Sequence, residues 1–243
     1  QAQYQQFIQE RARAAESPSA SLQPGQVATI AVVPSEGWAR IFASLGASAT
    51  LRGGQTMNPS AQQFVELLQT LPTDQIIVLP NNPNVVLTAR QAAELVPDKR
   101  VEVLPARTLP QGVAAMVAYR PEATLEDNLQ AMKEALQLVR SGEITWATRD
   151  VELEGVTARR GQWIGLVDDR LVAAGDDLEE VIQRTLEAMD ASSAELLTFY
   201  VGAEADPSQT ARLMEKLRSR YPRQQIEVVE AGQPYYPYIL SAE

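Results

Sequence analysis

Val27-Ala28-Thr29-Ile30-Ala31-Val32-Val33 is an almost unbroken apolar run of strand length, stopped by Pro34-Ser35-Glu36 and followed by helical spacing through Trp38, Ile41 and Phe42. A strand that is apolar on both faces must be covered on both faces, and a parallel sheet with helices on either side supplies that cover. Ile76–Leu79 and Val101–Leu104 are two further short strands. Amphipathic helices are expected between and after them, on Phe64/Leu67/Leu68/Leu71, Val85/Ala89/Ala92/Val96 and Val113/Met116/Val117. In such a sheet ligands favour the loops at the carboxyl ends of the strands. Here those loops are Pro34–Gly37, Arg52–Ser60, Pro80–Asn84 and Pro105–Thr108.

The second half reads differently. Thr124, with Asp127 three residues on, opens a long helix whose stripe is Leu125, Leu129, Met132, Leu136 and Val139. Short strands follow at 144–148, 151–153, 163–167 and 171–174, with turns at Gly155 and Asp168-Asp169. Helices at 177–190 and 207–220 and strands at 195–201, 225–229 and 235–241 complete a mostly antiparallel α+β lobe. The expected fold class is α/β in two lobes, at 25–123 and 124–243. Residues 1–24, with the linker-like Ser17-Pro18-Ser19-Ala20-Ser21, read as a tail from a preceding domain. Charge marks the same division. Residues 1–125 carry 9 basic and 9 acidic side chains, whereas 126–243 carry 12 and 22, so the net −10 sits in the second half.

What is missing narrows the chemistry. The chain has no His and no Cys. That removes Ser–His and Cys–His nucleophile pairs, ordinary zinc sites and disulfides. An acidic chain without a Lys/Arg run is unsuited to the phosphate backbone of nucleic acid. No apolar run reaches the roughly 18–20 residues of a membrane-spanning helix, and the opening residues lack a basic segment followed by an apolar one. A cytoplasmic location fits these features.

Four features could carry function. In Gly53-Gly54-Gln55-Thr56-Met57-Asn58-Pro59-Ser60, Asn58 can cap a helix that begins at Pro59, bringing Thr56, Asn58 and Ser60 to a helix N-terminus. That is either a well-capped helix or a small-anion site. Asn81 and Asn82, in Pro80-Asn81-Asn82-Pro83-Asn84, either line a polar pocket or make Asx turns, with Asn84 as a cap. Asp150, Glu152 and Glu154 share a strand face, but acids belong there, at the Asp168-Asp169 turn and at a helix start. No catalytic or metal-binding residue is assigned. Tyr235, Tyr236 and Tyr238, between Pro234 and Pro237 and just beyond, either form a docking surface or protect an edge strand.

Five segments together resemble a known family: GGQTMNPS (53–60), IIVLPNNPNVVLTARQAAEL (76–95), PARTLPQGVAAM (105–116), TRDVELEGVTARRGQWIGLVDDRLV (148–172) and GQPYYPYILSAE (232–243). They look like the C-terminal domain of the YloV-type DAK2 domain fusion proteins, the catalytic subunits of bacterial fatty-acid kinases. The resemblance implies a two-lobed fold similar to the DegV-type acyl-binding proteins. It implies that ATP and Mg²⁺ belong to an N-terminal domain resembling that of dihydroxyacetone kinases and lying outside this sequence, so no cofactor is expected here. The implied partners are a DegV-type fatty-acid-binding protein and the other domains of the same kinase. The implied role is non-catalytic recruitment or positioning of the acyl-binding partner. The alternative is a ligand-binding module that holds a fatty acid or small anion at Gly53–Ser60. Thr56–Ser60 matches the segment that helps hold the fatty-acid carboxylate in DegV-type proteins, whereas their His-Thr-Gly motif has no counterpart. The chain also lacks a phosphate-cradling Gly-Lys loop. The purified chain mixed with an acyl-binding protein and ATP is therefore expected to form no acyl phosphate, which a radiolabelled-ATP assay checks.

Overall fold

The computed structural model describes residues 22–54 and 58–243. Most of the expected tail and Thr56 lie outside the described residues. The chain divides into two units, one ending at Leu138 and the other spanning Val139–Glu243.

In the first unit, β1 (Ala28–Val33), α1 (Glu36–Ser44), β2 (Ala49–Arg52), α2 (Ala61–Thr70), β3 (Gln75–Leu79), α3 (Pro83–Glu94), β4 (Arg100–Val103), α4 (Leu109–Ala118) and α5 (Leu125–Gln137) follow in sequence. The sheet order is β2-β1-β3-β4 and every pair is parallel. Ala28, Ile30, Val32, Ile76 and Val78 pack against Phe64, Val65 and Leu68 of α2 and Val85, Ala89 and Ala92 of α3. Their alternates Ala31, Val33, Ile77 and Leu79 are buried as well, as expected of strands covered on both faces. Strand β2 had no apolar run to announce it. It is an edge strand, only half-buried, and needs just one apolar side.

The helix opening at Thr124 was expected to start the second lobe, but it belongs to the first unit. Thr124 Oγ1 does cap it, accepting from Asp127 N at 3.1 Å. However, α5 packs against α4 and β3. Asn128 ties it down: its amide Nδ2 donates to Arg120 O at 2.7 Å, and its Oδ1 accepts from Arg120 N at 2.9 Å. The side chain is 1% exposed. The unit boundary therefore moves from 123/124 to 138/139.

The second unit runs β5 (Arg140–Trp146), β6 (Val151–Leu153), β7 (Val156–Ala158), β8 (Trp163–Val167), β9 (Arg170–Gly175), α6 (Leu178–Ala188), β10 (Leu196–Val201), α7 (Pro207–Arg220), β11 (Gln225–Glu230) and β12 (Tyr238–Ala242). Its main sheet has the order β11-β10-β12-β5-β8-β9, antiparallel apart from the β10–β11 pair. Ile144, Leu197, Phe199, Ile226, Tyr238 and Leu240 meet Val181, Ile182 and Leu186 of α6 and Leu213, Met214 and Leu217 of α7 on one face. The turns at Glu154-Gly155 and Asp168-Asp169 have positive φ at both central residues, the geometry tight hairpins require. Among the described residues no helix is long and apolar enough to cross a membrane.

Replacing Asn128 with Ala should lower stability by about 2–4 kcal/mol, because it strips partners from both polar groups of Arg120 and opens a small void. Chemical denaturation checks this.

Candidate functional site

At the carboxyl edge of the parallel sheet, four helices begin with their own caps. Ser35 accepts from Trp38 N, Asn82 from Asn84 N and Thr108 from Gln111 N. Ser60 accepts from Gln63 N at 3.2 Å, while Gln63 Oε1 accepts from Ser60 N at 2.8 Å, a complete capping box. This corrects two expectations. Ser60, not Asn58, caps α2, and Asn82, not Asn84, caps α3 with Pro83 as its first residue. Asn58 is exposed. The glycine pair before it answers to sterics: a Cβ on Gly53 would lie 2.6 Å from Pro59 Cδ.

Asn81 sits in the left-handed region at φ 58 and is 6% exposed. Its Nδ2 donates to Val32 O at 3.0 Å, and its Oδ1 has no hydrogen-bond partner among the described residues. That oxygen lies against Gly112, where a Cβ would fall 2.0 Å away. Asn81 thus locks β1 to α4. The Ser60 hydroxyl oxygen and the Asn81 amide nitrogen are engaged in the fold, whereas Asn58 stays exposed.

The tyrosine segment is split by burial. Tyr238 is fully buried, packs edge-on to Phe199 at 6.4 Å, and shares a short hydroxyl contact with Thr210. It belongs to the core, so it is withdrawn from the docking set. The strand begins at Tyr238 rather than 235, and it lies between β10 and β5 instead of at an edge. Proline offers no N–H to a ladder, so Pro234 and Pro237 keep the preceding residues out of the sheet.

Those residues form an arch. Gly232 turns at φ 72. Gln233, 1% exposed, donates from Nε2 to Tyr200 O at 3.0 Å and to Tyr236 O at 2.9 Å. Gly202 N donates to Pro237 O at 2.8 Å, and a Cβ on Gly202 would meet Tyr236 O at 2.2 Å. Tyr235 caps the arch in the left-handed region at φ 67, and the residue is 48% exposed. Glu204 accepts from its N–H at 3.0 Å, and the Thr145 hydroxyl donates to its carbonyl at 2.5 Å. A non-glycine residue in this conformation, fixed from several sides, is the kind of strain found at functional sites. Tyr236 beside it is half-buried, and its hydroxyl is pushed well above the usual tyrosine range by burial and by the charges of Glu143 and Asp169.

Glu143 carries no signal in the sequence beyond being an acid inside a strand. Burial pushes its carboxyl up to about 7, and the Asp169 charge adds to the rise. The acids at 150, 152 and 154 do not assemble. Asp150 accepts from Arg160 N and Glu154 pairs with Arg170 at the start of β9, and no metal-holding group of three or more acids occurs among the described residues.

The family model for the FakA-like C-terminal domain of fatty acid kinase matches residues 28–243. The chain belongs to that family. An uncharacterized protein of Staphylococcus aureus (strain USA300) is 35% identical over 218 residues, which is 90% of this chain and 40% of that protein. The chain therefore spans about two fifths of the length of the curated relatives it matches. In structure it resembles a DegV family protein of Corynebacterium glutamicum, with TM-score 0.63 and 14% identity over 89% of this chain and 96% of that one. It also resembles the Streptococcus pneumoniae Fatty Acid Kinase B3 protein loaded with linoleic acid, with TM-score 0.57 and 9% identity over 89% and 99%. The dihydroxyacetone kinase of C. freundii aligns at TM-score 0.64 and 13% identity, over 99% of this chain and 55% of that one. At these identities the likeness is one of fold. The two-lobed, DegV-like α/β expectation holds.

The Glu143 carboxyl is protonated more readily in the folded chain than its ordinary value of 4.5 would allow. Its contribution to stability is therefore fully present below that value and is lost as pH rises through about 7. Glu143→Gln should flatten this fall and melt higher than the wild type at about pH 8, with a gain on the order of 1–3 kcal/mol. Melting curves at about pH 5 and about pH 8 check both.

Proposed function

We propose that this domain is the non-catalytic platform on which a fatty-acid kinase receives its acyl-carrying, DegV-type partner. ATP and Mg²⁺ would be bound elsewhere in the kinase, in the cytoplasm. Membership of the FakA-like C-terminal family supports the setting. The observation that carries the docking role is Tyr235, an exposed ring on an arch held by Gln233, Glu204 and Thr145. Fixed aromatic side chains lose little entropy on binding and commonly anchor interfaces. The alternative is a fatty acid or anion held at Gly53–Ser60, where the Ser60 hydroxyl oxygen already accepts from Gln63 N as the cap of its own helix.

Calorimetric titration of the full-length kinase with its DegV-type protein tests the reading. Tyr235→Ala should weaken binding by about 1–3 kcal/mol without lowering the melting temperature. Tyr238→Ala should cost about 3–5 kcal/mol of stability instead. Unchanged affinity in a kinase lacking residues 25–243 would exclude docking through this domain.

A further inference from the structure

The arch that displays Tyr235 stands beside a carboxyl ill suited to its place. Alternation along β5 turns Gly142 and Ile144 toward the helices, where a Cβ on Gly142 would meet Met189 and Thr185 of the α6 region. Ser141, Glu143 and Thr145 point to the other face. There Glu143 stands in register with Ile239 of β12 and Leu166 of β8. Its Oε2 is enclosed and meets no hydrogen-bond donor among the described residues. On this face β12 presents Ile239 and Ser241 and β8 presents Ile164 and Leu166, none of which ionises. The titratable groups that act on the carboxyl come from the β8–β9 turn, as Asp169, and from the arch, as Tyr236. Both have interaction partners of their own and stay where they are.

A neutral carboxyl tolerates such enclosure, whereas a carboxylate close to Asp169 does not. When Glu143 ionises, a neighbour has to yield and admit water. Strand β5 cannot, because it is paired on both sides, with β12 and with β8. The arch can. Its residues belong to no sheet, and single hydrogen bonds hold it: Thr145 hydroxyl to Tyr235 O, Tyr235 N to Glu204, and Gln233 Nε2 to Tyr200 O and Tyr236 O. Tyr235 also keeps a left-handed backbone at φ 67, a strain that opening releases. Thr145 joins the two features, since it lies two residues from Glu143 on the same face and holds the Tyr235 carbonyl.

We propose that neutral Glu143 keeps the Tyr235 arch closed and that its ionisation loosens the arch, so that docking on Tyr235 is gated by pH. The inference rests on the docking reading and adds its regulation. With the arch open to water the carboxyl regains its ordinary value of 4.5, whereas burial and Asp169 bring it to about 7 in the closed form. Each pH unit between those values therefore favours the open arch by up to about tenfold, and the effect levels off above about 7. In mildly acidic solution the partner meets a fixed arch. At neutrality and above it meets a loosened one, which has to be ordered again at the cost of affinity.

Two measurements test this. The first is hydrogen exchange of the full-length kinase, read by mass spectrometry at about pH 5 and about pH 7.5 and corrected for intrinsic exchange rates. Peptides covering 202–205 and 232–237 should lose at least about tenfold in protection at the higher pH, while one covering β10 holds. Glutamine keeps the size of Glu143 and cannot ionise, so Glu143→Gln should reduce the change to less than about twofold. No loss, an equal loss in β10, a loss confined to the turn at 168–169, or the same loss in the variant overturns the switch. The second is calorimetry of the full-length kinase with its DegV-type protein at the same two pH values. The wild type should bind at least about threefold more weakly at the higher pH, and Glu143→Gln should bind nearly equally at both. A pH profile shared by wild type and variant overturns the gating even where the arch opens, and Tyr235→Ala run in parallel shows whether docking itself still stands.

Discussion

Strand β12 has to donate and accept hydrogen bonds on both sides, since β10 and β5 flank it, and two prolines lie just before it. A residue without an N–H cannot occupy such a position, so the chain is held out of the sheet until Tyr238. The residues between the end of β11 and that point have to arch over the end of β10. Gly202 admits the arch because a Cβ there would run into the Tyr236 carbonyl, and the buried Gln233 amide bridges it to Tyr200. Everything distinctive about Tyr235, its left-handed backbone and its exposed ring, follows from that detour.

The two units use their polar groups in opposite ways. At the carboxyl edge of the parallel sheet, Ser35, Ser60, Asn82 and Thr108 each cap a helix, and the Asn81 amide ties β1 toward α4. The N–H groups of Trp38, Gln63, Asn84 and Gln111 that meet those caps are engaged in closing the fold on itself. In the second unit a carboxylate oxygen is enclosed without a donor among the described residues, close to a second acid and a tyrosine. Stability alone disfavours that arrangement, and stability given up at one place is a common mark of function.

The strands of the first unit were legible because burial on both faces leaves an apolar run that nothing else in the chain imitates, as in Val27–Val33. Helix caps were legible in type but slipped by two residues. Asn58 and Ser60 are equally good caps in isolation, and the choice fell to Ser60 because Gln63 closes the reciprocal bond. The helix at Leu125–Gln137 was placed well in sequence and assigned to the wrong unit. Periodicity says that a helix has a buried stripe and never says against what, and here the answer came from Asn128 gripping Arg120.

Sequence alone determined the classes of chemistry open to this chain, since a protein without His or Cys and with its −10 charge in one half cannot run thiol or imidazole catalysis and does not suit nucleic acid. It also determined the order of most strands and helices, because that order is written in local apolar spacing; β2 and β7 carried no such spacing and came only with the structure. Only the tertiary structure decided which of three neighbouring tyrosines is exposed. Tyr235, Tyr236 and Tyr238 are chemically the same residue, and their fates diverge from exposed to half-buried to core because each meets a different neighbour: Glu204 and Thr145, the Glu143–Asp169 pair, and Phe199 with Thr210. Contacts between residues far apart in the chain made that choice, and no local pattern encodes them.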